Sequence, residues 1–495
     1  MLKFKISFVL LIFALLNLNA AEPFVTPGNN NNYTLDDIVS ISNGALLKSD
    51  NTYKLMADIT ISSTDKLIIN IDANILCEKL TTILCEGILE VNPPEFVNIT
   101  SIDTSTPDNY FTGIILKEDA DNSFIKNLYL TYSGGLKLYD VDNVIIENSS
   151  FKHNNYNYDI GAGAISLSNC NPQIINCTFE NNERSAIQSP ANASAAPYIS
   201  GCSIINNNTS NGNYPQINLG QSDEDTIYIV NNFVEGMYPK AGGISVSSLA
   251  GGKVNAVIKD NVVKNNRYGI AGTGNDIYMK VVGNECLDNN IENDPMSGGS
   301  GLNLYSTNTS SFMFASENII SGNLWGITLQ GAATANFGCL DEGDNYNIGK
   351  NYFSENGNNG QTFHLYNNTA NDIFAVNNDW SCYSEDEIEE TIFHSNDDNS
   401  LGTVTFMPFY SFVGIENDFS DDYGFYPNPV NDFILIKDDN IVNVTIYNLQ
   451  GKEVLKTFNC GKQINVSNLP NGFYLISLQG DRGKIRTSKL LIKHN

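Results

Sequence analysis

Apolar and polar positions recur in a constant order through the centre of the chain, in short copies of one motif. Each copy has an apolar residue, one further residue, an Asn (or Asp, Gly, Glu), two residues and a second apolar residue, often followed by a polar pair. Their closing apolar residues lie 24 to 33 residues apart, at Phe151, Phe179, Ile204, Val234, Val263, Leu287, Ile320 and Phe353. A helix would repeat its apolar positions every 3.6 residues, so this spacing indicates short strands joined by turns. The period predicts a repeat architecture.

A right-handed parallel β-helix accounts best for this repeat. The stacked strands must stay in register while the turns tolerate insertions, which explains the variable period. Apolar residues should fill the interior, and Asn side chains should form ladders at the corners. With residues 125–130 as an earlier copy, at least nine rungs would make a rod on the order of 45 Å long. Cys177 and Cys202 share one position in successive rungs, where they either stack as small apolar residues or form a disulfide.

Both ends of the repeat carry candidate caps, which a solenoid needs over its open edges. Residues 34–37 and 384–387 have the pattern of a capping box, and the first should open a helix that reaches about Ser42. Asn378-Asp379-Trp380 and Leu401-Gly402-Thr403-Val404 are further motifs at the far end. On these motifs, residues 33–91 and 377–410 resemble the opening and closing segments of Bacteroidetes-type right-handed β-helix proteins.

The first twenty residues predict a secretory signal peptide. Lys3 and Lys5 precede an apolar run over residues 6–16, and Ala20 and Ala21 supply a small-residue cleavage site. The run is too short to cross a bilayer, so we expect no transmembrane segment in the mature chain. The predicted organisation is a signal peptide (1–20), an N-terminal cap with the first irregular rungs (21–110), the β-helix with its closing segment (111–413), an acidic linker (414–424) and a C-terminal domain (425–495).

Four motifs follow one another in the C-terminal domain. They are Tyr426-Pro427-Asn428-Pro429, Ile446–Lys452, Leu469–Ile476 and Lys489–Lys493. Alternating strands with Gly, Pro and Asn at the turns predict a small antiparallel β-sandwich. In this order and spacing the motifs resemble the type A sorting domain of the type IX secretion (Por secretion) system. An ordinary C-terminal β-domain is the alternative.

The resemblance implies partners and a destination. An outer-membrane translocon would read the domain, a sortase would remove it, and the cargo would be released or attached to surface lipopolysaccharide. The protein would then be secreted or lie on the outer cell surface, reached through the periplasm. The residues that mark the sorting module, none of them catalytic, are Tyr426, Pro427, Asn428, Pro429, Gly451, Gly472, Tyr474 and Lys489.

Charge is unevenly distributed along the chain. The formal net charge is -28, yet the part from Phe425 onward carries +4, which leaves -32 for the remainder. An acidic body repels nucleic acid phosphates and anionic lipid surfaces, so we expect no nucleic-acid partner. Cations, neutral glycans or basic partners fit better, and solubility alone is the plainer explanation of the acidity.

Metal and cofactor chemistry has little support in the residue content. The chain has nine Cys without a Cys-x-x-Cys and four widely separated His, which argues against a zinc site. An odd number of cysteines leaves at least one thiol unpaired within the chain. We expect no cofactor; Asp223, Glu224 and Asp225 are the candidates for a Ca²⁺ site, with a solvated loop as the alternative.

The candidate ligand-binding residues are Arg184, Arg267, Tyr268 and Trp325. Three of them lie five residues after the end of a copy, and Arg267 precedes Tyr268. Aromatic faces pack on sugar rings and the Arg fork binds carboxylates, so these residues could bind a glycan. Exposed turn residues without a ligand are the alternative.

We therefore expect a non-catalytic β-helix protein with an adhesive or glycan-binding role. One alternative is a polysaccharide lyase or glycoside hydrolase acting on an extracellular polysaccharide, although no motif resembles the pectate-lyase or polygalacturonase families. Such an enzyme needs a basic residue beside carboxylates that hold Ca²⁺, or a pair of carboxylates. A groove that places Lys264 or Arg267 against an Asp pair would favour it. A structural surface rod without a ligand is the third possibility.

Overall fold

The computed structural model describes residues 21–155, 163–341, 343 and 346–410, and in the C-terminal part residues 425–436, 441–448, 452–458, 463–480 and 485–494. The predicted signal peptide, the acidic linker and Gly451 lie outside these residues. The chain divides into two compact units after Ser411. In the described part of the chain, no helix has both the length and the apolar character needed to cross a bilayer.

Three parallel sheets form the first unit, and each rung visits them in the order first, second, third. They contain 14, 14 and 13 strands, and each strand pairs in parallel with those of the neighbouring rungs. Leu46–Ser49 departs from this pattern, because it runs antiparallel to Thr52–Leu55. At 4.8 Å per strand, 14 strands extend about 62 Å, which is longer than the predicted rod. The predicted fold class, a right-handed parallel β-helix, is confirmed.

The strand bounds follow the sheets. The strands of the first sheet are Phe24–Val25, Ile59–Ile61, Thr82–Cys85, Gly113–Lys117, Leu136–Tyr139, Ile165–Ser168, Ile187–Gln188, Pro215–Leu219, Gly242–Ser247, Ile270–Thr273, Ser300–Ser306, Trp325–Gly331, Leu365–Thr369 and Ile392–Phe393. The strands of the second sheet are Asn32–Thr34, Lys66–Ile69, Ile88–Val91, Phe124–Lys126, Ile145–Glu147, Gln173–Ile175, Tyr198–Ser200, Thr226–Val230, Val254–Lys259, Ile277–Val282, Phe312–Ser316, Thr334–Gly338, Ile373–Ala375 and Val404–Thr405. The strands of the third sheet are Leu46–Ser49, Thr52–Leu55, Ala73–Cys77, Val97–Ser101, Leu128–Thr131, Ser150–Lys152, Thr178–Glu180, Ser203–Ile205, Phe233–Glu235, Val262–Lys264, Glu285–Leu287, Ile319–Ser321 and Tyr352–Ser354. Outside these sheets lie the hairpin Gly357–Asn358 and Gln361–Thr362 and the helices Leu35–Ile41, Pro107–Asn109 (3-10) and Glu385–Glu389.

The closing apolar residues of the predicted repeat face the interior in every rung but one. Phe151 stacks on Phe179 with ring centroids 5.1 Å apart. The expected closing residue Leu287 is wrong, because Cys286 pairs with Val263 and Ile320 of the neighbouring rungs. Cys286 is small, apolar and completely buried, whereas Leu287 turns outward. The sequence prediction chose Leu287 over Cys286 because hydropathy alone favours the larger of these two residues for the interior.

The predicted Asn ladder lies at the corner between the second and third sheets. At this corner one residue in the left-handed region, such as Asn231 (φ +57), turns the chain, and the next residue points inward. The side-chain amides of successive rungs then bond at 2.8 to 3.0 Å through Asn232, Asn261, Asn284, Asn318, Asn351 and Asn378. Cys177 and Cys202 occupy the inward position of this corner in the rungs before Asn232. Both are buried free thiols, so of the two alternatives the structure agrees with stacked small residues and not with a disulfide.

A second ladder, which was not located in the sequence, lies between the third and first sheets. Its members are Asn154, Asn182, Asn207, Gln216, Asn266, Asn289, Asn323 and Asn356, followed by His364. One rung has Gly236-Met237 where its neighbours have Asn. Gln216 bridges this gap from the first sheet, since its amide bonds both Asn207 (3.1 Å) and Asn266 (2.9 Å). The ladder is therefore continuous although the sequence repeat is not.

His364 should make the first unit sensitive to mild acid. Its Nδ1 lies 3.3 Å from Asn356 Nδ2, and burial lowers its pKa from 6.5 to about 4. Because the folded-state pKa lies below the unfolded value, the unfolded chain takes up the proton first as the pH falls from 6.5 towards 4, and stability is lost over that range. The loss should reach roughly 3 kcal/mol by pH 4. We expect His364→Asn to lower the difference between the melting temperatures at pH 7 and pH 4.5.

The exposed His153 provides the control for this measurement. His153→Asn should leave the difference between the two melting temperatures as it is in the wild type. An unchanged difference in His364→Asn would contradict the assignment of acid sensitivity to the end of the ladder.

The predicted caps form at both ends of the first unit. Thr34 Oγ1 accepts the Asp37 N–H at 3.2 Å and Asp37 Oδ2 accepts the Thr34 N–H at 2.8 Å, which confirms the capping box. At the far end Ser384 Oγ accepts the Glu387 N–H, but the Glu387 carboxylate bonds the N–H of Tyr383 instead of Ser384. The second helix therefore has an N-cap without the reciprocal bond. Trp380 is completely buried and stacks on Phe353.

The second unit is the expected small antiparallel sandwich. One sheet contains the strands Phe425–Tyr426, Phe433–Ile436 and Gln463–Asn465, and the other contains Ile441–Asn448, Glu453–Phe458, Gly472–Gly480 and Ile485–Ile492. Its buried residues form an apolar cluster of their own, separate from that of the first unit. Each unit therefore has its own core.

Candidate functional site

A groove of about 470 Å³ lies on the outer face of the first sheet. Its floor consists of outward residues from five successive rungs, which stand in register as Ser245, Ala271, Asn303, Thr328 and Tyr366. Four steps of 4.8 Å give the floor a length of about 19 Å. The four floor residues other than Tyr366 have short side chains, so the floor lies below the loops that surround it. We call this feature the first-sheet groove.

A loop from the third sheet to the first, residues 288–299, forms one wall of the groove. Asp294 folds its tip, because its carboxylate accepts bonds from the Met296 N–H (3.1 Å) and the Ser297 hydroxyl (2.6 Å). Pro295 to Gly298 line the groove, and the Met296 side chain is 92% exposed at the rim. Thr273, Gln330 and Asn368 line it along the next outward column of the same strands. The wall depends on a loop longer than most rungs have.

Arg267 fastens this wall to its surroundings. Its Nε lies 2.5 Å from Glu292 Oε2, Nη1 donates to Asn213 Oδ1, and Nη2 donates to the Ser297 carbonyl. Its own carbonyl accepts the Gly299 N–H at 2.7 Å. A Cβ at Gly298 would lie 2.9 Å from Arg267 Cγ, so glycine permits the close approach. The guanidinium therefore ties two loops together beside the groove.

Aromatic rings close one end of the groove. The ring centroid of Trp325 lies 4.7 Å from that of Phe363 and 4.9 Å from that of Tyr366. Tyr366 stacks on Phe393 with ring centroids 4.5 Å apart. Trp325 Nε1 donates to the Pro295 carbonyl at 3.1 Å, which orients the indole and also supports the wall. The cluster is partly exposed, so aromatic faces are available to a ligand.

Tyr268 completes the lining. A Cβ at Gly242 would lie 2.2 Å from Tyr268 Cζ, so the ring packs directly over that glycine. Burial raises the pKa of the phenol to about 12, although the Arg267 charge and a hydrogen bond with Ser245 oppose the shift. The hydroxyl therefore stays protonated at neutral pH and is not a base there.

The structure brings together three of the four predicted ligand residues. Arg267, Tyr268 and Trp325 all line the first-sheet groove. Arg184 is absent from its lining, and its guanidinium lies 4.5 Å from the ring centroid of Tyr214. Tyr366 was not predicted as a site residue, because it lies beyond Phe353, the end of the last recognised copy. The short outward residues of the floor carried no signal before the strand register was known.

Among the residues that the structure describes, no carboxylate lines this groove. Among the described lining residues Arg267 carries the one formal charge, and Asp, Glu, His and Lys are absent. The Glu292 side chain is 19% exposed and pairs with the Arg267 guanidinium. The Asp294 carboxylate accepts hydrogen bonds from residues of its own turn. Lys264 lies on the third sheet, 3.4 Å from Glu235. Neither basic residue therefore faces an Asp pair in the groove.

The predicted Ca²⁺ candidates lie in the turn before the second-sheet strand Thr226–Val230, and Glu224 and Asp225 line a concavity of about 540 Å³. Glu224 pairs with Lys253 at 2.5 Å, and Asp225 accepts a bond from Asn171 Nδ2 at 2.9 Å. The residues that the structure describes contain no group of three or more side chains placed to hold a metal ion. Glu224 and Asp225 thus have protein partners, and a Ca²⁺ site with Asp223 remains a sequence-based expectation.

Two of the sorting-module residues, Asn428 and Tyr474, bond other parts of the second unit. Asn428, between Pro427 and Pro429, bonds the last strand twice, since its Oδ1 accepts the Leu491 N–H (2.8 Å) and its Nδ2 donates to the Lys489 carbonyl (3.0 Å). The Tyr474 hydroxyl donates to the Pro470 carbonyl at 2.9 Å. Gly472 begins its strand opposite Ile492, where a turn was expected. Tyr426 pairs with Leu435, and its side chain is exposed, as is that of Lys489.

Comparison with known proteins identifies both units. Residues 112–286 match the family model of the right-handed β-helix region, and residues 424–493 match that of the secretion system C-terminal sorting domain. No curated protein matches the chain. A crystal structure of a mutant of the periplasmic alginate epimerase AlgG is 12% identical with a TM-score of 0.39 and covers 77% of this chain and 81% of its own. A second structure of that epimerase, with the same identity and the same coverages, has a TM-score of 0.33.

The sorting domain indicates export through the type IX secretion system to the cell surface or beyond it, and it implies contact with that secretion machinery. The chain is a right-handed parallel β-helix repeat protein that carries a type IX secretion C-terminal sorting domain.

Proposed function

We propose that the exported protein binds an extracellular glycan in the first-sheet groove and does not cleave it. One observation carries the proposal: Trp325, Tyr268 and Tyr366 present aromatic surface beside the amides and hydroxyls of Asn303, Thr328, Gln330 and Asn368. Sugar rings offer apolar faces to aromatic side chains and hydroxyl groups to polar ones. A floor of about 19 Å suits a chain of several sugar units rather than one monosaccharide.

The chemistry of the groove supports binding without cleavage. A glycoside hydrolase uses two carboxyl groups on either side of the scissile bond, and the described lining contains neither Asp nor Glu. The raised pKa of Tyr268 leaves it protonated, so the phenol is not a base at neutral pH. After export, we propose that a sortase removes the sorting domain and that the body is released or attached to surface lipopolysaccharide.

Trp325→Ala tests this proposal. The purified protein is titrated with a panel of neutral and acidic polysaccharides by calorimetry and affinity electrophoresis. We expect binding to at least one polysaccharide, and a loss of affinity of at least about tenfold in Trp325→Ala, because the indole supplies the largest aromatic face. Gln330→Ala, on an exposed lining residue, should cause a smaller loss without disturbing the wall.

The control is Tyr383→Ala, which removes an aromatic side chain that is 89% exposed and does not line the groove. Its affinity should equal that of the wild type. Absence of binding to every polysaccharide would sink the proposal and favour a structural rod. New reducing or unsaturated ends after incubation, with or without Ca²⁺, would instead favour the lyase or hydrolase alternative.

A further inference from the structure

We infer that the ligand of the first-sheet groove is an uncharged glycan, and that Arg267 is a positioning residue that holds the groove wall rather than a charge that binds acidic sugars. This inference rests on the proposed function. It assigns a ligand class to the groove and a role to its one charged lining residue.

Protein groups already contact all three nitrogens of the Arg267 guanidinium. Its Nη1 and Nη2 donate hydrogen bonds to Asn213 Oδ1 and the Ser297 carbonyl, and its Nε forms an ion pair with Glu292 Oε2 that lacks hydrogen-bond geometry. The side chains of the Arg267–Glu292 pair are only 14% and 19% exposed, so solvent screens their attraction less than that of a surface pair. An acidic sugar would have to displace the Glu292 carboxylate or approach a charge that Glu292 already neutralises.

The surroundings of the groove also disfavour an anion. Asp294 lies on the same wall loop and interacts with the Arg267 charge, so this corner carries two carboxylates for one guanidinium. No lysine lines the groove among the described residues. The chain ahead of Phe425 carries a formal charge of -32. A polyanion would be repelled by the acidic chain as it approaches, and the described lining of the groove offers it no lysine and only an arginine that is already paired. Neither effect acts on a neutral glycan.

The contacts of Arg267 give it a positioning role. The wall loop is attached through Ser297 and Glu292 to Arg267, and through Pro295 to the Trp325 indole. Arg267 therefore acts on the ligand through the position of the wall and of Trp325. A lysine at this position would keep the positive charge but could not make three divergent contacts.

Two matched variants separate these roles. Arg267→Lys keeps the charge and removes the fork, and Glu292→Gln keeps the shape and uncovers the charge. We expect the wild type to bind neutral polysaccharide with less than about a twofold change in Kd between 20 and 500 mM NaCl, because charge screening has little to act on. Arg267→Lys should lose at least about fivefold in affinity for that polysaccharide, because the wall is no longer held.

Glu292→Gln provides the readout that a purely structural role would not change. It should acquire weak binding to alginate or pectate that disappears at 500 mM NaCl, because Glu292 no longer neutralises the guanidinium and only the exposed Asp294 carboxylate still interacts with it. Melting temperatures of both variants show whether the fold is retained.

Three outcomes overturn the inference while leaving glycan binding in place. In the first, the wild type prefers acidic polysaccharide with a salt-dependent Kd, and Trp325→Ala abolishes this binding. In the second, Arg267→Lys binds neutral polysaccharide as well as the wild type does. In the third, Glu292→Gln is folded but shows no salt-dependent binding of acidic polysaccharide. Failure of the wild type to bind any polysaccharide overturns the proposed function itself.

Discussion

Removal of residues 425–495 is expected to stop export and to leave the β-helix in the periplasm. The matched sorting domain occupies residues 424–493, and the sequence of residues 1–20 predicts passage across the inner membrane only. The apolar clusters of the two units share no residue, so the truncated body keeps its whole interior. The measurement is immunoblotting of periplasm, cell surface and medium, with protease treatment of intact cells to detect surface protein.

Two full-length variants provide controls for this experiment. Trp325→Ala leaves the sorting domain intact and should be exported like the wild type. Asn428→Ala removes the two bonds to the last strand and should reduce export, because the sandwich is loosened at its opening motif. Undiminished truncated protein in the medium or on the surface would show that residues 425–495 do not direct export.

Asn318→Ala is expected to destabilise the β-helix strongly. Asn318 Oδ1 accepts the Asn284 N–H and side-chain amide at 2.9 and 3.0 Å, and its Nδ2 donates to the Val281 carbonyl and to Asn351 at 2.9 and 2.8 Å. All three Asn side chains are completely buried. Asn284 Nδ2 and Asn351 Oδ1 keep other partners, so the variant mainly affects the Asn284 N–H and the Val281 carbonyl. A buried polar group without a partner costs about 1–3 kcal/mol, so the free energy of unfolding should fall by about 2–6 kcal/mol. That is a large fraction of the stability of a typical domain, about 5–15 kcal/mol.

Urea unfolding and amide hydrogen exchange measure this effect. Because each rung contacts mainly its neighbours, exchange should increase most in the rungs next to Asn318. Asn98→Ala is the matched control, since its side chain makes one exposed hydrogen bond, to Asn74 at 3.4 Å, and it should cost less than about 0.5 kcal/mol. Equal unfolding midpoints for the two variants would contradict the role of the buried ladder.

The fold could be predicted because its signals are local. A corner residue such as Asn231 stands directly before the inward Asn232, and an inward Asn recurs at Asn261, Asn284, Asn318, Asn351 and Asn378. The prediction failed at Leu287 because apolar size in the sequence does not decide which of two adjacent residues faces the interior. Gln216 could not be predicted as a ladder member, because it enters from the first sheet and its role depends on the missing Asn of another rung.

The candidate site could be predicted only in part. Arg267, Tyr268 and Trp325 follow the ends of their copies at nearly equal distances, which indicated that they share one side of the rod. Their functions could not be separated on that basis. The sequence suggested a carboxylate-binding Arg267, whereas the structure shows its nitrogens held by Asn213, Glu292 and the Ser297 carbonyl.

The sequence by itself determined the architecture and the destination of this protein. Both depend on patterns of neighbouring residues: the apolar and Asn repeat specifies stacked rungs, and four short motifs specify the sorting domain. Only the tertiary structure decided the first-sheet groove and the role of Arg267. The partners of that guanidinium come from loops of different rungs, and the floor joins residues from five strands. Their proximity arises from the winding and register of the rungs, which no single stretch of the sequence contains.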